Sequence, residues 1–311
     1  MRFADLKNDF VFRRIFANHP DILRGLLNDL LERQGERTIE VIEYLPSEQA
    51  PHVTGAKLSI LDVKCRDRAG TTFVVEMQLI HVPGFVNRVV YNACKAHVAQ
   101  LQRGEPHTKL ADVVAVSICD FALWPDAEQD AQDLPRVPML SRWNMTERSS
   151  GQNGLLQVQY AFLELPKLPR RWPETGAELW AWLFVHTPDF AEVPPELPPG
   201  PHRDAVELAN EATFTQAEQE AYQRVMDEIQ QARELVKLAA DAEARAANAE
   251  ERGRQEGLAR AILAVLAARG IAVDSETRAR IEACTDAATL DRWIARAATA
   301  ASAEEVVAPV A

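Results

Sequence analysis

The sequence has few cysteines and no long apolar run. Its four cysteines lie far apart, and none belongs to a C-x-x-C pair. This spacing argues against a thiolate zinc site and gives no support to a disulfide framework. No apolar stretch approaches the roughly 20 residues that a membrane-spanning helix needs. Charges occur in every turn of the opening residues, unlike the apolar core of a signal peptide, so we expect a cytoplasmic protein without a membrane partner.

Basic charge is also scarce overall. Lys and Arg number 34 against 46 Asp and Glu, a net charge of −12, which excludes a uniformly basic nucleic-acid coat. The charge is unevenly distributed, because residues 57–109 carry eight basic and four acidic side chains, whereas residues 204–256 carry six and thirteen. A polyanion would therefore bind the N-terminal part of the chain.

A proline-rich stretch, HTPDFAEVPPELPPGPH, interrupts the sequence at residues 186–202. Proline pairs remove backbone donors and keep the preceding residue out of the helical region, which is typical of a stiff connector. The length of 311 residues suits about two domains. We expect a main domain over 1–187, a linker over 188–213, a long helix over 214–257 and a small helical region over 258–311.

Helical and strand periodicities alternate before that stretch. Two runs, LSILDVK and TTFVVEMQL, flank the turn signal DRAG and predict a β-hairpin. The continuous apolar run VVAVSIC is typical of a buried central strand. The order of elements predicts an α/β fold. The predicted elements are two helices within 8–31, a helix over 84–103, and strands over 38–45, 58–64, 71–79 and 113–119.

Residues 215–257 are rich in Ala, Glu, Gln and Arg and contain no proline. The apolar residues follow a partial heptad that covers only about three repeats, near the lower limit for a stable coiled coil. A weak homodimer through 214–257 and a solvated spacer helix are equal alternatives. The heptad positions are Tyr222, Val225, Ile229, Val236 and Ala239.

Asp62 and Glu76 lie on the two strands of the predicted hairpin. Paired strands are about 4.8 Å apart, so the two carboxylates can converge. Their repulsion is relieved by a hard divalent cation, to which the main-chain carbonyl of Met77 would add an oxygen ligand. Such a site can polarise a phosphodiester and activate a water molecule. Spacing alone favours the other alternative, two solvated acids on an exposed hairpin face.

The segment KLSILDVKCRDRAGTTFVVEMQ resembles the core of the PD-(D/E)XK nucleases, specifically the recombination-promoting nuclease and transposase family. The resemblance covers roughly residues 5–125, and the helical tail is also similar. It implies a restriction-endonuclease-like fold over 1–187, with a mixed central sheet flanked by helices, followed by a long helix and a small helical tail. The other matching segments are LKNDFVFRRIF, RVVYNACKAHVAQLQRGEPHTKL and VVAVSICDFALWP.

The resemblance implies a metal-dependent DNA endonuclease associated with recombination or mobile elements. Mg²⁺ would be the cofactor, with Mn²⁺ as a substitute, and DNA the partner. Asp62 would be the central metal ligand, Glu76 the second, and Asp9 on the first helix would complete the shell. The sequence lacks the D-D-E spacing of recombinases, so we do not predict strand transfer.

Gln78 departs from the superfamily pattern, which has lysine there. Glutamine cannot carry the positive charge that stabilises the transition state, although the E-x-Q form is common in the recombination-promoting branch. Lys64, two residues beyond Asp62 and expected on the same face of the strand, and Lys95, on the helix over 84–103, are candidates for the missing cation. The alternative is a catalytically inactive DNA-binding or assembly module with the nuclease fold. Three retained acids favour the enzyme.

Arg88, Tyr91 and Lys95 are spaced to share one face of the helix over 84–103. We expect this face to contact DNA phosphates. The alternative is a partly buried tyrosine beside a solvated lysine.

Overall fold

The computed structural model of the protein describes residues 2–49, 59–132 and 134–308. Two compact units make up the chain, Met1–Gln230 and Gln231–Ala311. The first unit contains the β-sheet, and the second is helical.

Two amphipathic helices open the first unit. Asn8 caps α1 (Asp9–Phe16) by accepting hydrogen bonds from the amides of Phe10 and Val11, and Pro20 occupies the first turn of α2 (Pro20–Leu30), where it costs no hydrogen bond. The predicted division at His19 is confirmed. The apolar faces of both helices are fully buried, which fixes them against the sheet.

A six-stranded mixed sheet forms the centre, in the order β1-β4-β5-β6-β8-β7. The hairpin of β4 and β5 is antiparallel as predicted, β5, β6 and β8 run parallel, and β7 is an antiparallel edge strand. A separate two-stranded ribbon pairs β2 with β3. The strands are β1 (Ile42–Tyr44), β2 (Glu48–Gln49), β3 (Ser59–Ile60), β4 (Val63–Asp67), β5 (Thr72–Gln78), β6 (Val113–Cys119), β7 (Leu140–Thr146) and β8 (Asn153–Glu164).

Helices cover both faces of this sheet. Phe73 and Val75 of β5 pack in the cluster formed with α1 and α2, whereas Val74 packs in the cluster on the other face. Every residue of β6 is buried, as expected for a strand covered on both sides. The result is the predicted α/β fold with a mixed sheet between helices. Four further α-helices of the described residues lie wholly within this unit: α3 (Phe85–Val98), α4 (Asp126–Ala131), α5 (Gly176–His186) and α6 (Pro201–Leu208).

The strand predicted over 58–64 is interrupted in the structure. Residue 58 lies outside the described residues, and Leu61 and Asp62 separate β3 from β4. Leu61 packs on the α3 face whereas Val63 packs on the α1 face, although residues two apart share a face in a continuous strand. The shared face expected for Asp62 and Lys64 is therefore wrong. The Asp62 carboxylate accepts the Met77 amide at 2.8 Å, which stabilises the bend.

The proline-rich stretch packs against the core of the first unit. Leu197 is buried, and so are Ala205 and Val206 of α6. Close approach is needed at Gly25 of α2, where a Cβ atom would lie 2.5 Å from Cγ of Pro201. The first compact unit thus continues through the segment expected to be a linker and reaches Gln230.

Residues from the end of the first unit hold α1 in place. The Ala4 amide donates to the Ala209 carbonyl at 2.8 Å, and the Asp5 amide donates to the Tyr222 hydroxyl at 3.2 Å. Arg14 also pairs with Glu218 at 2.8 Å. The start of the chain is therefore fixed by residues more than 200 positions away.

A single helix of 53 residues, α7 (Gln216–Ala268), replaces the two helices expected to meet near residue 257. Gly253 and Gly257 lie within this helix. A glycine weakens a helix without ending it, whereas a proline would interrupt it. The second unit has its own apolar cluster, to which α7 contributes Ile262 and Leu266. Its other helices are α8 (Ser275–Glu282), α9 (Ala287–Ala297) and α10 (Ala303–Val307).

The outer surface of α7 is largely polar. Tyr222, at the start of the predicted heptad, packs against the core of the first unit, whereas Leu235, Val236 and Leu238 are exposed.

Within the described ranges, no helix combines the length and apolar character needed to cross a bilayer.

Candidate active site

Asp9 and Asp62 meet at one arginine. Arg13 lies one turn after Asp9 on α1, and its Nε is 3.0 Å from Oδ1 of Asp9. The Nη2 atom of Arg13 is 3.0 Å from Oδ1 of Asp62, which comes from the bend before β4. The other oxygen of Asp62 accepts the Met77 amide. The structure thus brings together two of the three acids predicted to bind metal.

The ionisation of Asp9 reflects this environment. The pKa of Asp9 is raised to about 6, mainly by burial and then by the neighbouring Asp62 carboxylate, while Arg13 lowers it. Burial and the adjacent Asp62 carboxylate together therefore outweigh the effect of the Arg13 guanidinium on Asp9. This position therefore attracts additional positive charge.

Glu76 lies on the α3 side of β5, with only 8% of its surface exposed. Its Oε1 accepts a hydrogen bond from Nδ2 of Asn92 at 2.8 Å. Burial raises the pKa of Glu76, whereas the bond from Asn92 and the charge of Arg88 lower it. Burial thus has the largest effect on the proton affinity of Glu76, and two side chains of α3 oppose it.

Gln78 contacts a cation from the same helix. Its Oε1 accepts a hydrogen bond from Arg88, and its Nε2 donates to the Ile80 carbonyl at 2.8 Å. A guanidinium therefore lies beside the position at which the superfamily pattern has lysine. Arg88 was expected on a DNA-binding face, and the structure also places it next to Glu76 and Gln78.

Tyr91 and Lys95 lie next to each other on α3. The alternative to DNA contact is a partly buried tyrosine beside a solvated lysine, and the structure shows the opposite burial. Tyr91 is 44% exposed, whereas Lys95 is only 7% exposed. The Lys95 ammonium lies 5.8 Å from the centroid of the Tyr91 ring, within the range of a cation–π contact. The exposed Tyr91 ring is accessible for the predicted DNA contact, whereas the Lys95 side chain is largely covered, and its phosphate contact stays a prediction.

Lys64 lines a different part of the fold. Its side chain borders a cavity of about 330 Å³ between β4 and the end of α3, together with Arg66 and Lys109. Burial lowers the pKa of Lys64. None of the residues that line this cavity is a predicted metal ligand. The structure thus associates Lys64 with these two cations.

The donor atoms suit a hard divalent cation in part. Asp9 and Asp62 offer carboxylate oxygens to one point, at which Arg13 already places positive charge. The Glu76 carboxylate instead accepts a hydrogen bond from Asn92. Met77 contacts Asp62 through its main-chain N–H group, whereas the predicted metal ligand is its main-chain carbonyl. In the part of the chain that the structure describes, no three His, Cys, Asp or Glu side chains form a metal-binding group. Two acids therefore fit the metal, and Glu76 would have to join them.

Arg13 and Asn92 were missed from the sequence. Arg13 stands four residues after Asp9, a spacing that pairs opposite charges on a helix. Asn92 stands between Arg88 and Lys95 on the buried side of α3, and a buried amide needs a partner. Neither signal identifies the partner from a distant element.

A protein-family model matches most of the chain. The family model described as PD-(D/E)XK nuclease family transposase matches residues 6–251, a range that includes Asp9, Asp62 and Glu76. No curated protein and no solved structure matches the chain significantly.

Proposed function

Because the chain belongs to the PD-(D/E)XK nuclease family transposases, we propose that it is a metal-dependent DNA endonuclease acting in recombination or mobile-element processes. The observation that carries the proposal is the meeting of Asp9 and Asp62 beside β5, the strand that holds Glu76. Carboxylates gathered in this way are a suitable environment for Mg²⁺, or Mn²⁺ in its place.

Asp9, Asp62 and Glu76 would hold the cation, with the main-chain carbonyl of Met77 as a further oxygen ligand. The bound cation would polarise the scissile phosphodiester and activate a water molecule. Arg88, rather than Lys64, adjoins Gln78 and Glu76, so we assign to Arg88 the positive charge that the glutamine lacks.

Duplex DNA would contact the exposed edge of α3. Arg88 and Tyr91 are exposed there, and Lys95 places its amine next to the Tyr91 ring. Arginine and lysine neutralise backbone phosphates, and this contact carries no sequence information. The acidic surface of α7 is a poor phosphate ligand.

An inactive DNA-binding or assembly module is the second candidate. Two observations favour it: Gln78 at the lysine position, and no group of three potential metal-ligating side chains among the described residues. In this function the sheet and α3 would bind DNA without cutting it.

A plasmid-nicking assay separates the two functions. We expect wild-type protein to cut with Mg²⁺ or Mn²⁺ and not with EDTA. Asp62→Asn should be inactive yet folded, because its amide oxygen still accepts the Met77 N–H bond. Asp21→Asn, an exposed acid paired with Arg24 on α2, is the control and should retain activity. Wild-type protein that shifts DNA in a gel but never cuts it would support the second candidate.

A further inference from the structure

The guanidinium of Arg13 lies between the carboxylates of Asp9 and Asp62. The Nε atom is 3.0 Å from Asp9 and the Nη2 atom is 3.0 Å from Asp62. Asp9 is on the same helix as Arg13, whereas Asp62 follows Arg13 by 49 residues in the sequence. A planar guanidinium can contact two carboxylates at once because its N–H donors diverge in a fixed fork.

Arg13 contacts two carboxylate oxygens that a metal could also use. It lies against Oδ1 of Asp9 and Oδ1 of Asp62, while Oδ2 of Asp62 is taken by the Met77 amide. A divalent cation at these oxygens would meet both the N–H groups and the charge of the guanidinium. The two cations therefore exclude each other at this point.

The Arg13 side chain is free enough to leave this position. Its exposed fraction is 43%, and that of the Asp9 side chain is 49%. An arginine at this exposure gains a hydration shell when its ion pairs break, so the exchange costs little.

We infer that Arg13 is an internal counter-ion that competes with the divalent cation for Asp9 and Asp62. It partly neutralises the two acids in the metal-free protein and withdraws when metal binds. The inference rests on the proposed metal site and adds a resident competitor to it. Arg13 is a positioning residue, since it acts through the two carboxylates.

Titration of full-length protein with Mn²⁺ by calorimetry tests this competition. We expect Arg13→Gln to bind Mn²⁺ about five- to tenfold more tightly than wild type, the effect of removing two half-exposed ion pairs. Arg13→Lys should fall between them, because an ammonium cannot bridge both acids in the same geometry. Arg24→Gln, which removes a similar arginine from α2, should leave the Kd unchanged.

Thermal unfolding gives a second readout. In EDTA, Arg13→Gln should melt below wild type, since two adjacent carboxylates lose their counter-ion, and saturating Mn²⁺ should close the difference. If Arg13→Gln does not fold by circular dichroism, Arg13→Lys carries the comparison.

An unchanged or weaker Mn²⁺ affinity in folded Arg13→Gln overturns the inference. If wild type binds Mn²⁺ and Asp62→Asn does not, such a result leaves the proposed metal site intact and removes only the competitor. If neither wild type nor Arg13→Gln binds Mn²⁺, both the metal site and the competitor are wrong.

Discussion

Asn92 donates a hydrogen bond to Glu76 across the interface between α3 and β5, and both side chains are almost completely buried. The bond lowers the pKa of Glu76, in opposition to the larger effect of burial. A neutral side chain on α3 therefore helps to decide at which pH a carboxylate on β5 carries its charge.

Replacing Asn92 by alanine should raise the pKa of Glu76, because burial then acts with less compensation. We expect the acidic limb of the pH profile of kcat/KM to move to higher pH, since metal binding and cleavage need the ionised carboxylate. Asn144→Ala, an exposed change on edge strand β7, is the control. Identical acidic limbs in wild type and Asn92→Ala would contradict this role.

Replacing Asp9 by asparagine should stabilise the metal-free protein at neutral pH. The folded pKa of Asp9 is about 6, above the value of about 3.9 for an unperturbed aspartate. The native state therefore holds this proton more tightly, and stability falls as pH rises through that window. In EDTA, we expect Asp9→Asn to have the higher Tm above pH ~6 and a Tm equal to wild type near pH ~4. A lower Tm at neutral pH would show that the Arg13 ion pair outweighs the repulsion.

Replacing Gly25 by alanine should destabilise the first unit. Relative to glycine, alanine stabilises an isolated helix by about 1 kcal/mol. At position 25, however, its Cβ would lie 2.5 Å from Pro201 Cγ and 2.7 Å from Pro201 Cβ. Because the proline ring is rigid, we expect a net loss of about 1–3 kcal/mol in urea unfolding. Gly253→Ala faces open space in α7 and should gain up to about 1 kcal/mol. Equal effects at the two glycines would argue against the close contact.

Replacing Leu235 and Leu238 together by glutamine tests whether α7 joins two copies of the chain. Both leucines are exposed, so the change should not affect the fold of one copy. If a weak homodimer forms through 214–257, wild type should sediment as a dimer at tens of micromolar, roughly the range of a weak self-association. The double variant should sediment as a monomer at the same concentration. Lys237→Gln is the neighbouring control. If wild type is already monomeric, α7 is a spacer.

Local patterns were sufficient to predict most of the first unit. The apolar run from Val113 to Cys119 matches β6, and the DRAG turn gives the hairpin of β4 and β5. The bend at Asp62 could not be predicted, because it depends on a hydrogen bond from Met77, which becomes a neighbour only after the hairpin forms. The packing of the proline-rich stretch likewise depends on Gly25, far away in the sequence.

The site was predictable to a smaller extent. The hairpin pattern brings Asp62 and Glu76 together and the resemblance adds Asp9, and the metal-binding role of all three stays a prediction. The contact of Arg13 with Asp62 joins residues 49 positions apart, and no local rule selects that pair. The burial of Lys95 and the exposure of Tyr91 follow from how α3 is rotated on the sheet, which the helical spacing of the sequence does not define.

The fastening of α1 by residues 209–222 has a consequence for synthesis of the protein. During translation, Asp9 and Arg13 leave the ribosome well before Ala209, Glu218 and Tyr222, which hold α1, are made. At about 5–20 residues per second, they follow after roughly ten seconds or more. A nascent chain therefore carries its acids without the contacts that position them, and the proposed cleavage is delayed until the unit has been released.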